Sequence, residues 1–218
     1  MTLINLTDIE KKAYRSTFED GIWDIFLGST LLTLAVIALL SNRGMPEGQQ
    51  MTVLIVLQAA AVAFFIAGKK CITVPRMGFV KFGRQRKGKI RKSHVVLLGS
   101  AVVGAVAFLV TSQAMRGTPA ERLRLMDLMP LVWAVNAMVV FSLLAHYLDC
   151  PRLYGYGVLF ALPVPVDRAI KKFAGVNLSP VTFAVPAIIM LVVGTVLLLS
   201  FLRQYPKPEK GVSDDDQN

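Results

Sequence analysis

The sequence predicts an all-α fold, a polytopic bundle of transmembrane helices, and three observations favour it. Hydrophobic residues make up 54% of the 218 residues, and the mean hydropathy is +0.55. These residues gather into runs near bilayer length instead of recurring at the period of a soluble core. Ten of the 24 Lys and Arg, and no Asp or Glu, fall in residues 69–92, between two such runs. A block of bases in this position is typical of a cytoplasmic loop.

Residues 1–20 are predicted to form a short amphipathic helix on the membrane surface. Thr7 and Glu10 have the spacing of a capping box, and Tyr14 and Phe18 follow at helical spacing. Such a helix either anchors the first span or docks a partner. The segment contains acidic residues and lacks an apolar stretch ending in a small-residue cleavage site, so we expect it not to be a removable signal peptide.

Residues 21–202 are predicted to form the membrane bundle as one domain. A polar turn after the first apolar run gives a tight hairpin with the second run, and Pro151 ends the fourth. The last run is followed by a tail, residues 203–218, whose composition predicts disorder. The predicted spans are residues 21–40, 51–67, 95–111, 128–148 and 181–202, with a shorter apolar run at 153–166.

The run at 153–166 has two interpretations. It is short for a full crossing and is interrupted by Pro163 and Pro165, so it forms either a sixth span or a re-entrant segment beside five spans. Either topology leaves 17 of the 24 bases on the side of the basic block, so charge does not decide between them. We expect six spans with both termini cytoplasmic, because Lys171 and Lys172 can extend to the interface and lengthen the short helix.

The basic loop, residues 69–94, also contains a pattern typical of a small β-hairpin. Ile72-Thr73-Val74 and Phe79-Val80-Lys81-Phe82 flank Pro75-Arg76-Met77-Gly78, which suits a turn. This many bases beside a membrane either serve topology alone or bind anionic lipid or an acidic partner. We expect no nucleic-acid partner, because no nucleic-acid-binding fold surrounds the cluster. The candidate binding residues are Arg76, Lys81, Arg84, Arg86, Lys87, Lys89, Arg91 and Lys92.

The stretch Val74-Pro75-Arg76-Met77-Gly78-Phe79-Val80-Lys81-Phe82 resembles a Pro-Arg-x-Gly-aromatic-Val-x-Phe loop motif of small, uncharacterised prokaryotic multi-pass membrane proteins. In that family the motif follows a hairpin of spans that opens with a stretch like Asp20 to Asp24. The resemblance covers less than a fifth of the chain. It implies a shared membrane architecture and carries over no activity.

Six polar residues are predicted to lie within or at the ends of the spans. Asp20 and Asp24 are four residues apart on one helical face, and an ionised carboxylate there needs a partner, for which Lys69 or Arg76 is the candidate. The pairing is either structural or part of a proton or cation relay. Amides near the middle of a span should face another helix or a water-filled cavity. The six residues are Asp20, Asp24, Gln58, Asn136, His146 and Asp149.

The sequence contains no pattern typical of a catalytic or metal site. Cys71 and Cys150 lack the paired spacing of redox or zinc sites, and the chain has no HExxH motif, no GxSxG motif and no phosphate-binding glycine loop. We therefore expect no enzyme activity, no metal and no cofactor.

The expected function is that of a non-catalytic scaffold or regulatory protein of the inner (plasma) membrane. Its expected partners are anionic lipid, another protein or a second copy of itself. Two alternatives remain at this point. One is a small-solute or ion transporter that uses the Pro-broken fifth helix, and the other is an intramembrane enzyme.

Overall fold

The structure, a computed structural model, describes residues 19–77, 84–114 and 118–206. All regular secondary structure in these residues is helical, and short connections join consecutive helices. The predicted N-terminal surface helix and most of the predicted tail lie outside the described residues. The helices are α1 (Ile22–Asn42), α2 (Glu47–Gly68), α3 (Arg84–Ala114), α4 (Pro119–Leu148), α5 (Arg152–Ala161), α6 (Pro163–Ala174) and α7 (Ser179–Gln204).

Five of these helices, α1, α2, α3, α4 and α7, are long and apolar enough to cross a membrane. Each coincides with one of the five long spans predicted from the sequence, which confirms the all-α membrane bundle. Helix α4 ends at Leu148, before Pro151, as predicted. Helix α3 begins at Arg84, so the bases from Arg84 to Lys92 lie on a helix that continues into the apolar span.

The β-hairpin predicted in the basic loop does not form. Helix α2 continues through a π-helical segment, Lys69–Thr73, into a last helical turn, Val74–Met77. The first predicted strand, residues 72–74, is therefore helical, and so are residues 75–77 of the predicted turn. The second predicted strand, residues 79–82, lies outside the described residues. The helix is favoured because Lys69 and Thr73 lie four residues apart and both donate to Asp20, just before α1, a tertiary contact that no local pattern reveals.

The fifth predicted segment is helical along its length but broken near its middle. Leu162, between α5 and α6, keeps helical dihedral angles of φ −70° and ψ −37°. Pro163 and Pro165 have no N–H group and so remove two hydrogen bonds from the helical ladder. The two short helices therefore form one interrupted helical rod.

This rod extends along the whole length of α1. At one end Arg152 lies 3.8 Å from the carboxylate of Asp24, near the start of α1. At the other end Asn177, just after α6, donates a hydrogen bond of 2.6 Å to Asn42, the last residue of α1. A re-entrant segment would instead begin and end at the same end of the bundle, beside the start of α1. The geometry of α5 and α6 therefore favours a sixth crossing.

The bundle has two ends with different chemistry. The end that we call the basic end contains the start of α1, the end of α2 with its extension to Met77, the start of α3, the α4–α5 connection and the end of α7. The opposite end contains the α1–α2 turn, the start of α4 and the α6–α7 connection, and there Arg168 pairs with Asp127 at 3.1 Å. The contacts between elements at the basic end include Lys69 with Asp20, Lys89 with Asp149, and Arg76 with the carbonyl of Leu202.

The antiparallel pair of α1 and α7 lies at the centre of the bundle. A Cβ atom on Gly28 would lie 2.9 Å from Leu191, and one on Gly194 would lie 2.8 Å from Ile25. Gly21 has φ +72°, and a Cβ there would overlap the carbonyl oxygen of Gly194. Small residues of this kind let two membrane helices approach closely and gain van der Waals contact.

The close approach of α1 and α7 predicts that Gly194→Ala lowers stability. Its new methyl group would lie 2.8 Å from the backbone nitrogen of Ile25, which has no room to move aside. Overpacking of this kind costs about 1–3 kcal/mol. The matched control is Gly104→Ala on α3, where a Cβ meets no atom within 4 Å. Unfolding by SDS titration in mixed micelles measures both variants, and equal midpoints would contradict the packing.

Candidate functional site

Asp20 is fully buried immediately before α1 and has donors on both carboxylate oxygens. Its Oδ2 accepts hydrogen bonds from Lys69 Nζ at 2.6 Å and from Thr73 Oγ1 at 2.6 Å. Its Oδ1 accepts from the backbone N–H of Ile22 at 3.2 Å, one of the amides that a helix start leaves without a helical partner. Removing one partner of such a buried ion pair costs about 3–5 kcal/mol. Asp20 therefore fastens α1 to the extension of α2.

Asp24 is also buried, with 2% of its surface exposed, but its two oxygens differ. Oδ1 accepts a hydrogen bond from the hydroxyl of Tyr156 on α5. Oδ2 has no hydrogen-bond partner among the described residues, and the nearest base, Arg152, has its Nη2 atom 3.8 Å away. That distance gives an ion pair but is too long for a hydrogen bond. One buried carboxylate oxygen can therefore still accept a hydrogen bond.

The bases predicted to pair with Asp24 have other roles. Lys69 is hydrogen-bonded to the carboxylate of Asp20, which lies immediately before α1. Arg76 donates to the backbone carbonyls of Leu202 and Tyr205, at 3.2 and 2.9 Å, and so closes the end of α7. A cation at the C-terminus of a helix is favoured because the last carbonyls lack helical partners.

The partners of Asp24 come from α5 and were not predicted from the sequence. Arg152 and Tyr156 are four residues apart and share one face of α5. This spacing is a usable sequence signal. The spacing identifies Asp24 as their shared partner only when it is known that α5 begins beside the start of α1.

A cavity of about 470 Å³ lies beside Asp24. Helices α1, α3, α4 and α5 form its walls, which are mostly aliphatic and aromatic. His94 and Leu97 of α3 line the cavity and are also exposed, so it opens to the outside of the bundle. A largely apolar cavity with a few convergent polar groups is typical of a small-molecule site.

The predicted mid-span amides have different surroundings. Asn136 of α4 donates a hydrogen bond of 3.1 Å to Ser100 of α3 and so faces another helix, as expected. The Oε1 atom of Gln58 on α2 is buried and has no hydrogen-bond partner among the described residues. These two residues lie outside the walls of the cavity beside Asp24.

The two predicted polar residues at the end of α4 each contact another residue of the basic end. Asp149, in the α4–α5 connection, pairs with Lys89 at 3.1 Å. The ring of His146 packs edge-on against Tyr147, with 5.5 Å between ring centroids. The relay alternative therefore gains no support from His146.

Those of the predicted binding bases that fall in the described residues lie at the basic end, where they have different surroundings. Lys92 lies over the ring of Tyr147, with its Nζ atom 6.0 Å from the centroid, and Arg91 is exposed. Arg84, Arg86 and Lys87 form the start of α3, where the backbone but not the side chains is described, and Lys81 lies outside the described residues.

The break between α5 and α6 does not expose a polar path. The indole N–H of Trp133 on α4 donates to the carbonyl of Phe160 at 2.8 Å, just before the break. A second cavity lies at the break, between α5, α6 and α7. Its lining side chains are apolar apart from Thr182. The transporter alternative, which assumed that the break binds a solute or an ion, gains no support from this geometry.

These features define the class of the protein, a membrane-embedded all-α bundle with buried ion pairs at its basic end. In the part of the chain that the structure describes, no group of three or more His, Cys, Asp or Glu side chains could hold a metal ion. No known protein family matches the chain, and neither does any curated protein or solved structure. The resemblance of the loop motif therefore stays a prediction.

The contact between α1 and α5 predicts that Tyr156→Phe is destabilising. The change removes the hydroxyl that bonds Asp24 and leaves a buried acceptor without its donor. Such a loss costs about 1–3 kcal/mol. The matched control is Tyr154→Phe on the same helix, because Tyr154 is 48% exposed. Thermal unfolding in detergent measures both variants, and an unchanged melting temperature for Tyr156→Phe would contradict the assignment.

Proposed function

We propose that the protein is a non-catalytic membrane protein of scaffold or regulatory type whose basic end binds the headgroups of anionic lipids. The observation that carries this proposal is the position of its exposed bases. Lys70, Arg91 and Arg203 come from three different helices, α2 with its extension, α3 and α7, and lie exposed at the same end of the bundle.

These exposed bases differ from the bases that hold the bundle together. Lys69, Lys89 and Arg152 each face a carboxylate of the protein itself. Lys70 follows Lys69 by one residue and Arg91 follows Lys89 by two, so each lies on another face of its helix. One set of charges therefore stabilises the fold, and the other set is available to an external anion.

The position of these charges relative to the membrane surface favours a lipid headgroup over an acidic protein as the bound anion. The candidate spans that include α2, α3 and α7 contain Lys70, Arg91 and Arg203 near their ends. Long basic side chains at the end of a membrane helix extend to the interface, where lipid phosphates lie. An acidic protein partner would meet them only from outside the headgroup layer.

The proposed orientation places the basic end at the cytoplasmic face of the inner (plasma) membrane. Cytoplasmic segments carry the excess of Lys and Arg in multi-pass proteins. The start of α1 and the end of α7 both lie at the basic end, so both termini would be cytoplasmic.

Cysteine labelling tests this orientation and the number of crossings. In a background with Cys71→Ser and Cys150→Ser, we expect a membrane-impermeant maleimide to label Gly48→Cys and Val176→Cys in intact cells. Gln204→Cys should react only after permeabilisation. Gly48 and Val176 are exposed at the opposite end, and Gln204 is exposed at the basic end. Protection of Val176→Cys in intact cells would contradict the sixth crossing. Labelling of Gln204→Cys in intact cells would show that the orientation is opposite to the proposed one.

A matched pair of double variants tests lipid binding. We expect Lys70→Gln with Arg91→Gln to weaken binding of phosphatidylglycerol to the detergent-solubilised protein, as followed by native mass spectrometry. A base near an anionic membrane surface contributes about 1 kcal/mol, so affinity should fall roughly 30-fold. The control is Arg43→Gln with Lys172→Gln, two exposed bases at the opposite end.

The two double variants remove the same charge from the protein, so only position distinguishes them. We expect phosphatidylglycerol binding to the wild-type protein to weaken with added salt. Equal loss of affinity in the two double variants would show a general charge effect and contradict a site at the basic end.

A further inference from the structure

We propose that the cavity beside Asp24 binds a neutral, membrane-soluble amphiphile whose small head donates a hydrogen bond to Asp24 Oδ2. The apolar body of the molecule would fill the cavity between α1, α3, α4 and α5. The cavity volume of about 470 Å³ lies within the range of about 300–1,000 Å³ that is usual for small-molecule sites.

The head is a hydrogen-bond donor because Asp24, which lines the cavity, has an acceptor without a partner among the described residues. Asp24 lines the cavity, is 2% exposed, and has one oxygen, Oδ2, with no hydrogen-bond partner among the described residues. A buried carboxylate oxygen without a donor is costly. A hydroxyl group on a bound molecule would supply the missing hydrogen bond.

The head is neutral because the charges that line the cavity already balance. Asp24 and Arg152 are the carboxylate and the guanidinium of its walls, and they face each other. An ammonium group at Oδ2 would stand next to the Arg152 guanidinium, which lies 3.8 Å from the same oxygen. An anionic head would meet the carboxylate. A neutral hydrogen-bond donor is repelled neither by the guanidinium of Arg152 nor by the carboxylate of Asp24.

The body is apolar and arrives from the bilayer because of where the cavity opens. Leu97 lines the cavity and is 45% exposed, and it lies within the membrane-spanning part of α3. An opening at this position meets lipid chains, and a polar solute would have to leave water to reach it.

Photo-crosslinking with three matched probes tests the proposal. The probes are a diazirine-bearing long-chain primary alcohol, its methyl ether and the corresponding primary amine, each added to the full-length protein in phosphatidylcholine nanodiscs. We expect the alcohol to label peptides of the cavity walls about tenfold more than the ether, since a hydrogen bond to a charged group contributes that much. We expect the amine to label less than the alcohol.

Asp24→Asn provides a sharper version of the test. The substitution replaces Oδ2 by an amide NH₂ group, which can donate to the oxygen of either probe. The preference for the alcohol over the ether should therefore disappear, while total labelling of the cavity remains. SDS unfolding of the variant verifies that it is folded. A preference that persists in Asp24→Asn would overturn the role of this carboxylate.

Leu97→Trp tests the cavity without touching Asp24, in case Asp24→Asn does not fold. The larger side chain at the opening should reduce labelling by the alcohol several-fold. The control is Leu98→Trp, because Leu98 is 67% exposed and does not line the cavity. Equal labelling by alcohol and ether in the wild-type protein, strongest labelling by the amine, or undiminished labelling of Leu97→Trp would overturn the proposal.

These probes are neutral or cationic and the bilayer is zwitterionic, so the test does not depend on anionic lipid at the basic end. Loss of phosphatidylglycerol binding and loss of alcohol labelling can therefore be observed separately.

Discussion

The ion pair between Lys69 and Asp20 sets the arrangement of the basic end. Lipid chains are as apolar as the side chains of the bundle, so hydrophobic burial does little to select which membrane helices meet. A buried carboxylate does select its neighbours, because it must find donors within the protein. Asp20 finds Lys69 and Thr73, and both lie in the π-helical extension of α2. That extension therefore remains helical against α1 where the local sequence favours a turn.

The contrast between Asp20 and Asp24 separates a structural carboxylate from one that is available for binding. Both are buried near the start of α1: Asp20 lies just before the helix and Asp24 lies in its first turn. Asp20 has donors on both oxygens, whereas Asp24 has a donor on Oδ1 and an ion pair, without a hydrogen bond, beside Oδ2. Buried polar atoms without partners are rare and concentrate where a protein has a function to perform. The cavity lies beside the second carboxylate, which is where a ligand could complete the hydrogen bonding.

The long spans could be predicted from the sequence because bilayer thickness fixes the length of an apolar helix. The sixth crossing could not be decided in this way, since the alternative topologies place equal numbers of bases on each side. It depends on a contact between distant residues, Asn177 with Asn42. The partners of Asp24 were missed for the same reason. Arg152 and Tyr156 are distinctive only beside α1, and hydropathy does not tell which helices are neighbours.

The break between α5 and α6 gives the two halves of this crossing separate anchors. Arg152 and Tyr156 fasten α5 to Asp24 at the basic end, and Arg168 fastens α6 to Asp127 at the opposite end. Pro163 and Pro165 remove ladder hydrogen bonds between these anchors, which makes the break the weakest point of the rod. Trp133 of α4 donates to the carbonyl of Phe160 just before the break, so a neighbouring helix also holds the rod between its two anchors. The interruption that suggested a binding site in the sequence is therefore held by packing against another helix.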